Sequence, residues 1–112
     1  MSDAEAKAST GNLFVGEVSR RTLINAEISN EFMASLIIFS PGAKNVFHTH
    51  TNEQVLYITE GKGVVATEKE EHIVTPGMIV FVPPGELHWH GATKDSSFSH
   101  ISFTVPGLKT IF

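Results

Sequence analysis

Gly42-Ala-Lys-Asn-Val-Phe-His48-Thr-His50-Thr-Asn-Glu-Gln54-Val-Leu-Tyr-Ile-Thr-Glu-Gly61 sets two histidines in strand alternation between glycines. His48 and His50 are two apart, so in a strand their side chains leave the same face. Gln54 keeps that parity if the pleat continues through Thr51-Asn52. Fifteen residues separate this stretch from Gly77-Met-Ile-Val-Phe-Val-Pro83-Pro84-Gly85-Glu-Leu-His88-Trp89-His90-Gly91. A barrel that aims both stretches at one point would surround a divalent metal with His48, His50, Gln54 and His88.

The flanking sequence reads as short strands and turns. Phe32 to Phe39 is almost continuously apolar, like a strand buried on both faces, and stops at Ser40-Pro41-Gly42. There Pro presets φ and Gly supplies a positive φ. Val55 to Thr59 is followed by Glu60-Gly61-Lys62-Gly63, read as a hairpin turn into Val64 to Thr67. Lys69-Glu70-Glu71 is the next turn, with His72 beside it as an exposed strand residue. Pro76-Gly77 leads into Met78 to Val82, and a last strand runs from Phe98 to Val105. One helical turn is allowed between Arg20 and Glu31, although Asn25 and Asn30 weaken it. Many short strands with Gly/Pro turns imply an antiparallel sandwich or barrel. A jelly-roll interior can hold a ligand or metal.

Composition narrows the function. The 112 residues suit one domain, with a flexible segment over 1–12 and a single domain over 13–112. Apolar residues make up 41% and charged residues 18%, which fits a globular core and not disorder. A net charge of −4 without a basic cluster argues against nucleic acid or an anionic membrane surface as partner. No cysteine is present, so disulfides and thiolate metal sites are excluded. The polar, acidic start is unlike a signal peptide, and no apolar run approaches the roughly 20 residues of a bilayer span. A cytoplasmic protein is expected.

The two histidine stretches resemble the signatures of the cupin superfamily, G-x5-H-x-H-x3-4-E-x6-G and G-x5-P-x-G-x2-H-x3-N. Gly42, His48, His50, Gly61, Gly77, Pro83, Gly85 and His88 stand at matching positions. The resemblance covers roughly Phe32 to Val105 and implies an all-β double-stranded β-helix, the jelly-roll barrel. Two positions depart: Gln54 replaces the acidic ligand, and Ala92 replaces Asn. Glu53 is the rival for the acidic position, but parity and the six-residue gap to Gly61 favour Gln54. The strings around Gln54 and His88 are similar to small single-domain cupins related to carboxymuconolactone decarboxylases, some of which are manganese-dependent hydroxynitrile lyases. That likeness extends to His100, marked there as catalytic, and fails at Thr104, where those lyases carry Gln.

The chemistry follows from the donor set. Imidazole binds Mn, Fe, Co, Ni, Cu and Zn alike, with Mn or Fe expected here from the resemblance. An amide oxygen is neutral, so a site of three His and one Gln leaves the metal's charge uncancelled and its pull on a substrate oxygen strong. His90 shares parity with His88 and is either a general base or a residue that orients a ligand. Trp89 has the opposite parity and faces outward, into an interface or ordinary packing. Phe32, Leu36, Ile38, Phe47, Tyr57, Phe81 and Phe103 are candidate pocket walls. The expected function is lyase- or isomerase-type chemistry on a small organic substrate. An Fe or Cu dioxygenase and a non-enzymatic small-molecule-binding module are the alternatives. A homodimer is expected to cover exposed strand edges, with Leu13 to Val18 available to add a strand to the neighbour.

Overall fold

The computed structural model describes residues 7–8, 13–25, 29 and 31–111. In chain order the strands are β1 (Lys7–Ala8), β2 (Phe14–Val15), β3 (Val18–Ile24), β4 (Met33–Phe39), β5 (Lys44–Asn45), β6 (Thr49–His50) and β7 (Gln54–Gly61). They continue with β8 (Gly63–Thr67), β9 (Glu71–Val74), β10 (Ile79–Val82), β11 (His88–Ala92), β12 (Phe98–Thr104) and β13 (Thr110–Ile111). No helix occurs among the described residues.

A six-stranded sheet, β1-β3-β4-β12-β7-β10, faces a five-stranded one, β2-β5-β11-β8-β9, and β13 pairs with β6 in a third, two-stranded sheet. Every pairing is antiparallel. After β4 the chain crosses between the two large sheets from β4 to β5, β7 to β8, β9 to β10, β10 to β11 and β11 to β12. These crossings make the jelly roll expected from the sequence. Period-two alternation drives it: Gln54, Leu56 and Ile58 of β7 are buried, as are Phe98, His100 and Ser102 of β12. Val18, Ile37, Phe39, Leu56, Ile58, Val65, Val74 and Phe98 form the apolar core between the sheets. Rings of Phe39 and Phe98 lie 5.6 Å from the His100 ring, so the core abuts the histidines directly.

The turn at Gly61-Lys62 is a corner between sheets and not the hairpin read from the sequence, since β7 and β8 do not pair. Gly61 has φ 76°, and a Cβ there would stand 1.9 Å from the Ser97 carbonyl oxygen. A Cβ on Gly63 would meet the Phe98 ring at 2.5 Å. Both glycines therefore admit close approach that no other residue allows.

Other expectations are also revised. Val18 to Ile24 is strand where a helical turn was allowed; residues 26–28 and 30 lie outside the described set. Phe14–Val15 pairs with β5 on one side only, at the edge of the five-stranded sheet, and Val18–Ile24 lies between β1 and β4. The polar segment 1–12 falls outside the described residues except Lys7–Ala8, which pair with Arg20 and Ser19. None of the seven expected walls lines the pocket: Phe32, Phe47, Tyr57 and Phe81 are exposed, and Leu36, Ile38 and Phe103 take the parity opposite His100 and Ser102. No helix among the described residues is long and apolar enough to cross a membrane.

Candidate metal centre

His48 and His88 meet in an antiparallel bridge, with His48 N donating to His88 O at 2.9 Å and His88 N to His48 O at 3.0 Å. That pairing puts both side chains on one face, ring centroids 4.3 Å apart. His50, two residues on, follows by parity, and Gly85 N donates to its carbonyl at 2.9 Å to hold the second stretch alongside. One nitrogen from each of His48, His50 and His88 lies within 4.8 Å of the others, so this group could hold a metal ion. All three rings are buried.

Hydrogen bonds set the tautomers. His48 Nδ1 lies 2.6 Å from Val46 O, and His88 Nδ1 lies 2.8 Å from Glu86 O. A carbonyl only accepts, so Nδ1 carries the proton in both rings and Nε2 keeps its lone pair. His50 Nδ1 is 3.1 Å from Thr110 Oγ1, supplied by β13. Gln54 Nε2 donates to Ser102 Oγ at 2.7 Å, which leaves Oε1 as the free end of the amide.

The buried side-chain polar atoms with no partner, among the described residues, are His50 Nε2, Gln54 Oε1, His88 Nε2 and His100 Nδ1. Leaving one such atom unsatisfied costs about 1–3 kcal/mol. His50 and His88 belong to the three-histidine group, and Gln54 and His100 line the cavity beside it, which marks a site built for a ligand. Three of them are neutral nitrogen or oxygen acceptors of the kind a divalent ion takes, so the residues fit a metal. Desolvation on burial lowers His48 to about 4 and His50 to about 4. The Val46 carbonyl partly offsets the shift at His48, and the Gln54 amide does so at His50. Burial lowers His88 too, so the lone pairs are available at neutral pH.

His90 and His100 form a second layer beside this group. His90 N donates to Asn45 Oδ1 at 2.7 Å, which fixes the orientation of that amide. Asn45 Nδ2 then donates to the His90 ring, 3.1 Å from Nε2. The same Nδ2 lies 3.4 Å from His90 Nδ1, and His90 Nδ1 is 3.2 Å from His100 Nε2, so one proton lies between the two rings. The other His100 nitrogen, Nδ1, is buried without a partner. Desolvation lowers His100 to about 3, and burial, reinforced by His100 and the neighbouring histidines, holds His90 well below its usual value. A register shift between β12 and β7 falls at the Ser99/His100 step, where a bulge re-aims side chains.

These groups open onto a cavity of about 280 Å³ lined by His48, His50, Gln54, His90, His100 and Ser102, with Arg20, Met33, Ser35 and Ile37 farther along the six-stranded sheet. His88 lies beside His48, outside the lining. Trp89 is half-buried, with Lys44 Nζ 5.0 Å from its ring centre. Exposed His72 contacts Glu70 at 2.7 Å, and Glu53 is exposed. Asn45, Ser102 and Thr110 were not singled out as site residues in the sequence. Ser102 shares His100's parity and was legible as an inward residue; Asn45 and Thr110 carry no motif, and only the tertiary pairing brings them in.

With this geometry, the chain belongs to the cupin family: residues 35–103 match the Cupin_2 cupin domain. A similar protein is the (R)-mandelonitrile lyase of Granulicella tundricola, 34% identical over 93 residues, 80% of this chain and 69% of that protein. A cupin-like protein from Thermotoga maritima superposes with TM-score 0.86 at 27% identity, covering 97% of this chain and 87% of that one. The polyketide cyclase RemF from Streptomyces resistomycificus gives TM-score 0.85 at 21% identity, covering 98% and 81%. At that identity the likeness is one of fold.

Proposed function

We propose that this cupin is a metal-dependent enzyme that cleaves or forms a bond beside an oxygen-bearing carbon of a small organic molecule, as a hydroxynitrile lyase does. The carrying observation is the group of His48, His50 and His88, with His50 Nε2, His88 Nε2 and Gln54 Oε1 buried and unpartnered, at a cavity that His48, His50 and Gln54 line. Similarity to a mandelonitrile lyase over 80% of the chain supports the reaction class.

In this reading His48, His50, Gln54 and His88 hold a divalent ion, manganese in the first instance. When bound, that ion supplies Lewis-acid polarisation of a substrate oxygen. Ser102 holds the Gln54 amide so that oxygen, and not nitrogen, faces the histidines. Asn45 fixes the His90 ring, and His90 in turn occupies His100 Nε2. His100 Nδ1, buried and unpartnered, takes the proton of the substrate hydroxyl and hands it to the group that departs with the bonding electrons, so the ring ends as it began. Burial of His90 and His100 keeps bulk water from competing for that proton.

The test is cleavage of racemic mandelonitrile, followed as benzaldehyde release, by manganese-loaded and chelator-treated protein, with dissolved oxygen monitored. Manganese-dependent release without oxygen uptake supports the reading. Oxygen uptake with iron or copper would move the site to oxygenase chemistry, and ligand binding without turnover would make it a binding module.

The outer face of the six-stranded sheet carries Tyr57, Ile79 and Phe81, 41%, 68% and 56% exposed. Val55, Ile101 and Phe103 pair around them on the same parity. We propose a homodimer in which two copies cover this face.

A further inference from the structure

The cavity has no counter-charge for what it holds. None of its lining side chains is a carboxylate, and the one permanently charged group among them is the guanidinium of Arg20. Arg20 is solvent-exposed as well as lining, so it stands at the opening. Among the described residues no carboxylate pairs with it: the one such contact joins His72 and Glu70 on the β8–β9 hairpin. Three imidazoles and an amide add no negative charge either, so a bound dication would keep its full formal charge. A cavity that pairs such an ion with a guanidinium favours an anion by simple electrostatics.

The register gives the anion a direction. Arg20 pairs with Ile37, and Ile37 pairs with His100, so the three form one cross-strand row. Arg20 is therefore two strand spacings from His100, roughly 10 Å between backbones. Ser35 and Ser102, paired in the next row, line the cavity between the two ends and offer hydroxyl donors. At about 280 Å³ the cavity is at the small end for ligand sites.

We infer that the substrate is a small organic anion: a carboxylate of a few carbons bearing a hydroxyl or carbonyl oxygen. The carboxylate meets Arg20 at the opening, and the oxygen-bearing carbon reaches the group of His48, His50, Gln54 and His88. This deepens the lyase-type reading and rests on it for the position of the reacting carbon. It assigns Arg20 as the residue that selects charged over neutral substrates.

The probes are mandelate and mandelamide, which share shape and differ in charge at one end. Calorimetric titration into manganese-loaded protein should show mandelate binding about 10-fold tighter, a preference that shrinks with added salt. Arg20→Gln should weaken mandelate about 5–10-fold, leave mandelamide within about 2-fold and leave manganese occupancy unchanged. Arg20→Lys should recover a large part of the loss. Equal affinities for the two probes, or an Arg20→Gln variant that weakens both alike or neither, would overturn the inference. These ratios are read without turnover, so an absence of lyase activity leaves them intact. Turnover of neutral cyanohydrins with no acid preference would overturn the anion and leave the lyase reading standing.

Discussion

His48 and His88 each donate a backbone N–H to the other's carbonyl, at 2.9 and 3.0 Å, and this bridge sets their rings 4.3 Å apart. The contact is made by main chain, so it survives loss of either side chain. His88→Ala should therefore keep the strand content seen by circular dichroism, while manganese occupancy falls below about a tenth of wild type. Retained occupancy would place the metal elsewhere; loss of the fold would make His88 a structural residue.

Replacing Gln54 with Glu isolates charge at nearly constant shape. Ser102 Oγ, now accepting from the amide at 2.7 Å, can turn its hydroxyl to donate to a carboxylate oxygen. Metal should be held at least as firmly, and lyase-type turnover should fall because the added charge offsets the ion's pull on substrate. An unchanged or higher rate at equal occupancy would contradict the role given to the neutral amide.

His100→Phe should remove turnover by roughly 10²–10⁴-fold, the range for a residue that moves a proton in the reaction. Metal content should stay near wild type, since His100 is not one of the grouped nitrogens. A rate within a few-fold of wild type would exclude His100 from the chemistry.

Stability without metal should depend steeply on mild acid. Burial lowers His48 and His50 from 6.5 to about 4 and His100 to about 3. Below pH 6.5 the unfolded chain takes up protons that the folded chain refuses, so stability is full above that value. It is lost as pH falls toward the folded-state values, by about 1.4 kcal/mol per pH unit for each such histidine. The melting temperature of chelator-treated protein should drop sharply between pH 7 and pH 5, and manganese should oppose the drop at pH 7. A flat profile over that range would mean the rings are not buried as neutral groups.

The proposed dimer predicts a light-scattering mass near twice the 12.2 kDa of the chain at micromolar concentration. Phe81→Asp, on the exposed outer face, should shift it to the monomer without changing metal content. A monomeric wild type would dismiss the interface.

Much of this site was legible because two-residue alternation and motif spacing are local properties. His48, His50 and His88 could be grouped from parity and turns alone, and the same alternation in the last strand accounts for Phe98, His100 and Ser102 being buried together. The Gly61 corner was misread because a hairpin turn and a sheet-to-sheet corner use the same residues. Which one forms depends on Ser97 and Phe98, more than thirty residues away. The expected aromatic walls failed for a similar reason. Hydrophobicity marks Tyr57 and Phe81 as apolar, but only register shows that they lie on the outer face. Asn45, Thr110 and Arg20 reach the cavity through pairings with distant strands, and no local pattern announces them.

The most direct test of the central claim is pulsed EPR on protein without an affinity tag, loaded with manganese and checked for stoichiometry by elemental analysis. The account predicts one manganese per chain, coupled to three imidazole nitrogens, with one coupling lost in each of the His48→Ala, His50→Ala and His88→Ala variants that still binds. A chain that binds no manganese, or binds it with no imidazole coupling, would contradict it.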